Sequence, residues 1–164
     1  MKTYLTICFI LATITVFGQR DWTGPTGKEP VPEKFKDLPR AIEVANFPKE
    51  NDPIKINDQY YWKHATAIVS KQSPITITEY GAYLFYDGQW NLRRSYPLKE
   101  LDKTFGTKKQ KLLQAQPYIW TDNWRVDSNP YAGWALWYFI GATPSGKTVC
   151  GYDTIHTTDN VLKN

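Results

Sequence analysis

The chain is poor in the residues that build covalent frameworks and metal sites. It has two cysteines, two histidines and one methionine among 164 residues. Cys8 lies in an apolar run at the amino terminus. A body that has lost this run keeps Cys150 alone and closes no internal disulfide, so the fold must be held by its core. His64 and His156 are far apart, and no HxH, HExxH or CxxC spacing occurs, which removes the usual zinc motifs. No metal and no cofactor is expected. A GxSxG elbow is lacking, so serine hydrolase chemistry has no support. Gly24-Pro25-Thr26-Gly27-Lys28 lacks the four-residue spacer of a phosphate loop and follows no strand. After the first residues, no apolar run approaches the length needed to span a bilayer. Internal repeats and low-complexity tracts are also missing.

The opening stretch, MKTYLTICFILATITVFGQ, has the layout of a secretory leader. Lys2 supplies a short positive region, residues 5–17 an apolar run, and Val16 and Gly18 lie three places and one place before a cut expected between Gly18 and Gln19. The mature chain is therefore expected to be exported, to the periplasm or beyond. The expected division is a signal peptide at 1–18, a proline-rich segment at 19–53, an antiparallel β-rich domain at 54–157 and a polar tail at 158–164.

Six of the eleven prolines fall in the second of these parts. Proline removes donors and restricts its predecessor, which predicts little regular structure there beyond a short helical turn at 38–44. Its aromatics Phe35 and Phe47 are expected to dock on the body, because solvated linkers rarely spend such residues. The body alternates strand-like runs with tight turns. Residues 55–70 read as a strand broken near Asn57-Asp58. Residues 75–86 read as a second, with Ile75, Ile77, Tyr83 and Phe85 on one parity and Tyr80, Ala82, Leu84 and Tyr86 on the other. Gly81 within it marks a bulge or a close backbone approach. Asp87-Gly88 is a strong hairpin signal. Residues 96–106 predict the helix, with Leu98, Leu101 and Phe105 on one face and Gly106 just past its end. Residues 109–116 are ambiguous, and 118–120 suit a short strand. Residues 131–156 form a final hairpin around Thr143-Pro144-Ser145-Gly146. Its first arm has apolar side chains on both faces, which predicts a central strand covered on both sides. The fold class is thus mainly β (α+β): a single antiparallel sheet, sandwich or open barrel with one short inserted helix.

Catalytic motifs are weak. Cys150 sits mid-strand and not at a helix amino terminus, which favours a buried structural thiol. Glu79, Asp87, Asp122, Asp127 and Asp153 offer carboxylates, but their spacing selects no pair. His64, His156 and Asp153 would meet only through folding. Aromatics are the richest feature, with seven Trp, eleven Tyr and seven Phe. Most are expected in the core. Trp90, Trp124 and Tyr131 adjoin turns or loops and are the candidates for stacking on a ligand. Residues 93–111 are rich in Arg and Lys, and Arg93, Arg94 and Arg125 are the candidates for anionic contacts. Export argues against nucleic acid as the partner and leaves a polysaccharide or a secreted protein. The leading expectation is an exported, non-catalytic binding domain, with a glycan ahead of a protein. The alternatives are a small hydrolase or lyase using His64 or His156 with a carboxylate, and a structural or inhibitor-like module docking on another protein.

The segments YYWKH (60–64), YDGQW (86–90), DNWR (122–125) and GWALWYFIG (133–141), with Gln19 after the expected cut, resemble small secreted proteins of Bacteroidetes-type bacteria. The resemblance covers about the last two-thirds of the chain. It implies export and a setting where glycan capture is common, and it assigns no catalytic position. YDGQW is also similar to Gly-Trp cell-wall-binding repeats, but those occur in tandem and this chain has one copy.

Overall fold

The computed structural model describes residues 20–163. The leader, its expected cut and Cys8 lie outside the described residues. Twelve strands and one helix follow one another: β1 (Ile42–Phe47), β2 (Glu50–Asn51), β3 (Ile54–Ile56), β4 (Gln59–Trp62), β5 (Ala65–Ser70), β6 (Ile75–Tyr86), β7 (Gln89–Ser95), α1 (Leu98–Phe105), β8 (Lys111–Leu112), β9 (Pro117–Trp120), β10 (Arg125–Asp127), β11 (Gly133–Ala142) and β12 (Thr148–Thr157). The large sheet runs β2-β12-β11-β6-β7, with β8 added alongside β6. It curls into a half-barrel, so the protein is mainly β with one short helix. All pairings in it are antiparallel except β12 with β2. Two three-stranded sheets, β1-β5-β9 and β10-β4-β3, complete the body.

The expected hairpins form for the expected reasons. Asp87 and Gly88 both take positive φ, the geometry that matches a two-residue turn to strand twist. Gly146, at φ 81°, donates its N–H to Thr143 O at 2.9 Å and closes the β11–β12 turn. The helix buries Leu101 and Phe105, and Gly106 ends it in the left-handed region at φ 70°. Strand β11 is central and covered on both sides. Its Phe139 packs inward with Ile77, Tyr80 and Phe105. Its Leu136, Tyr138 and Ile140 pack outward with Phe35, Tyr83 and Cys150.

One register detail corrects the expected face pattern of residues 75–86. Ile140 pairs with Glu79 but Gly141 pairs with Ile77, so Thr78 is an extra residue. Past this bulge the parity inverts. Ile75 and Ile77 share the inner face with Tyr80, while Tyr83 turns outward. Gly81 is a place of close approach: a Cβ there would lie 2.2 Å from Arg94 O.

The proline-rich segment is also more structured than its composition suggests. No helical turn forms at 38–44, and Ile42–Phe47 is a strand paired along its whole length with β5. Ahead of it the chain is a strap across the outer face of the large sheet. Phe35 is 2% exposed and packs on Tyr83, Tyr138 and Tyr152. Lys34 Nζ lies 2.6 Å from Glu79 Oε1, which also accepts from Tyr138 Oη at 2.5 Å. Burial works against the Glu79 charge, but these two bonds overcome it and hold its pKa below the usual value. Cys150 N–H donates to Pro39 O, and Ala41 N–H to Cys150 O. The docking expected of Phe35 is therefore present. Phe47 instead remains 46% exposed. At the other end, Thr158 is buried and accepts the indole N–H of Trp62 on its carbonyl at 2.8 Å, and Leu162 bridges to Ile54.

Candidate ligand-binding cleft

The inner face of the large sheet is filled by α1 and β1-β5-β9 at one end. At the other end a cleft of about 260 Å³ remains. Its floor comes from neighbouring registers on three strands: Leu84 on β6, Ala135 and Trp137 on β11, and Ile155 and Thr157 on β12. Ala135, flanked by Leu84 and Ile155, leaves the space that a larger residue would fill.

Aromatic rings form one wall. Tyr96 stacks on Trp137 at 5.6 Å, and Trp120 meets Trp137 edge-on at 5.5 Å. Trp124, 42% exposed, stands at the rim with Lys63 Nζ 4.6 Å from its ring. The turn that carries Trp124 is held from below. Buried Asn123 donates to Thr66 Oγ1 at 2.8 Å, Thr66 donates to Asn46 Oδ1 at 2.7 Å, and the Asn46 N–H reaches Asp153 Oδ2 at 2.7 Å.

The polar groups are mostly donors. Arg93 is the extra residue of a second bulge, where Ala82 pairs with Arg94 and Tyr83 with Leu92. Such a bulge re-aims side chains. Arg93 lines the cleft, while Arg94 Cζ lies 4.7 Å from the Tyr96 ring. Arg125 comes from β10 and is wedged between rings, with Cζ 3.4 Å from the Tyr131 centroid and 5.4 Å from that of Trp62. One of its terminal nitrogens donates to Thr157 Oγ1 at 3.2 Å, and among the described residues its buried Nε has no partner. Among the described residues it makes no ion pair. Burial, and then the nearby Arg93, push its pKa down to about 9 against the pull of Asp127. It is still cationic at neutral pH.

His64, 7% exposed, is the exception among these donors. Its Nδ1 lies 3.2 Å from Trp62 O, an acceptor, so Nδ1 carries the hydrogen and Nε2 is left as a lone-pair acceptor. That Nε2 is buried and, among the described residues, unpartnered. Burial, reinforced by the Arg125 charge, lowers the imidazole pKa to about 4 although the bond to Trp62 O opposes this. None of the residues lining the cleft is Asp or Glu.

Three of the six candidate residues, Trp124, Arg93 and Arg125, meet in this cleft. Tyr131 lies on the far side of Arg125, in an adjoining hollow of about 560 Å³ that also touches Trp22, Asp127 and Asp159. Arg94 is set back behind Tyr96. Trp90 packs edge-on against Phe85 at 5.1 Å on the outer face, away from the cleft. The three residues proposed to meet by folding stay apart. His156 stacks on Trp134 at 4.6 Å with Nδ1 3.2 Å from Glu50 Oε2, and Asp153 pairs with Lys49. Among the described residues, no group of three or more His, Cys, Asp or Glu is placed to hold a metal. Cys150 is fully buried, and burial raises its pKa. The roles of Tyr96, Trp120 and Trp137 were not apparent from their order in the chain, and His64, expected to act with a carboxylate, has none beside it among the lining residues. The small Ala135 between Trp134 and Trp137 was the one local sign of a gap. Another hollow, about 590 Å³ against the outer sides of β1 and β5, is lined by Ala, Val and Ile with charged residues and, among the described residues, holds no buried unpartnered polar atom. It is the poorer candidate. No family model, curated protein or solved structure matches the chain.

Proposed function

We propose that this chain is an exported, non-catalytic binding domain whose cleft takes a glycan. The observation that supports it is the conjunction of the rings of Tyr96, Trp120, Trp124 and Trp137 with two arginines that make no ion pair among the described residues, in a concavity with no acidic side chain among its lining residues. Aromatic faces suit the apolar side of a sugar ring, and the convergent polar groups orient it. The usual glycosidase mechanism uses a pair of carboxylates flanking the sugar bond. The cleft has a histidine without one. The histidine–carboxylate contact of His156 with Glu50 lies outside it.

A glycan array probed with the wild-type chain and with Trp124→Ala tests this reading. Trp124 is at the rim, so its loss leaves the fold intact. The expected result is a defined set of bound glycans, with affinity reduced roughly fivefold in the variant, the scale of one ring contact. No bound glycan, or unchanged binding by Trp124→Ala, refutes it. Release of shortened or unsaturated products from a bound polysaccharide refutes the non-catalytic part.

A further inference from the structure

We infer that the sugar held in the cleft is an acidic one: a single uronate-type ring that presents a carboxylate and a neighbouring hydroxyl. This rests on the glycan reading of the same cleft and narrows it.

Size selects one ring. About 260 Å³ lies just below the usual range of about 300–1,000 Å³ for small-molecule sites. Charge selects an anion. Arg93 and Arg125 both line the space, Lys63 stands at its rim on Trp124, and no lining carboxylate balances them. Arg125 is the more telling of the two. A half-buried guanidinium with a buried Nε and no ion pair among the described residues is costly, and an arriving carboxylate supplies what the fold leaves out. Its planar fork suits two-point contact with a carboxylate.

The hydroxyl follows from His64. Its Nε2 is a buried acceptor with no partner, close enough to Arg125 for that charge to act on it. A carboxylate alone has no proton to offer this atom. An ammonium group has protons but is repelled by the two arginines. A hydroxyl can accept from a guanidinium N–H and donate to Nε2, which neither a carboxylate nor an ammonium can do. A hydroxyl beside a carboxylate on a six-membered ring is the signature of a sugar acid.

Calorimetric titration, with indole N–H shifts followed by NMR, tests the inference on the wild-type chain. The probes are galacturonate and glucuronate, their methyl esters, galactose and glucose, and acetate. The expected result is that a uronate binds with shifts of Trp120 and Trp124, its methyl ester and the neutral sugars bind at least about tenfold more weakly, and acetate binds more weakly still. Arg93→Ala, at an exposed position, should weaken the uronate about tenfold. Ala135→Leu should block the uronate by filling the floor. Neutral sugars that bind as well as uronates would overturn the acid but leave the glycan reading standing. Acetate that binds as tightly as a uronate would overturn the sugar. No binding by uronate or neutral sugar overturns both readings.

Discussion

His64 makes a test that needs no ligand. The imidazole is buried and neutral, with its pKa lowered from 6.5 to about 4 chiefly by desolvation. The sign follows from proton counting. Between these values the unfolded chain binds a proton that the folded chain refuses, so acid favours unfolding. Stability is full above pH 6.5, falls as pH drops, and stops falling for this reason below about 4. At about 1.4 kcal/mol per pH unit, the whole interval corresponds to a loss of ~3 kcal/mol, of which ~2 kcal/mol is gone at pH 5. Carboxylates with depressed values, Glu79 and Asp102, begin to lose their contributions only near and below the ordinary carboxylate range. Between pH 6.5 and 5 the difference in slope between the wild-type chain and His64→Gln therefore isolates His64. Urea unfolding at closely spaced pH values, for the wild-type chain and for His64→Gln, measures it. The glutamine variant is expected to be less stable at pH 7 and flatter in slope between pH 6.5 and 5. Equal slopes in the two chains would show that His64 titrates normally, and the account of a sealed lone pair at the cleft would fall with it.

Two further outcomes concern the strap. Phe35→Ala empties a site enclosed by three tyrosine rings and is expected to cost about 3–5 kcal/mol in denaturant unfolding; a loss under about 1 kcal/mol would mean the strap is not part of the cooperative unit. Gly151→Ala places a Cβ 2.2 Å from Ile42 O, a backbone atom that cannot swing aside, so β1 must lift off β12. The expected result is a lower melting temperature together with faster proteolysis before residue 42, and an unchanged melting temperature would refute the close crossing.

Local chemistry was enough for the elements whose signals are local. Asp87-Gly88, Thr143-Pro144-Ser145-Gly146 and the Leu98, Leu101, Phe105 stripe each carry their geometry within a few residues. The two-sided covering of β11 was also legible, because apolar residues fill both of its parities. Strand β1 was hidden by its prolines on either side and by Asn46, a buried polar residue at a position where the alternation calls for an apolar one. Its reason, the Thr66 and Asp153 partners, lies 20 and 107 residues away in the chain. The face pattern of β6 broke at Thr78 for the same kind of reason, since a bulge is set by the partner strand. In the cleft, residue types beside turns pointed to Trp124, Arg93 and Arg125. What singles out Arg125 is its enclosure by Tyr131 and Trp62, and what singles out His64 is a lone pair without a partner. Both are products of tertiary packing. Trp90 had the same local setting as Trp124 and was drawn to the opposite side of the sheet by Phe85.

Arg125 lines both the cleft and the hollow that contains Trp22 and Tyr131. One side chain is therefore shared between two chambers, and a substitution of Arg125 changes the walls of both at once.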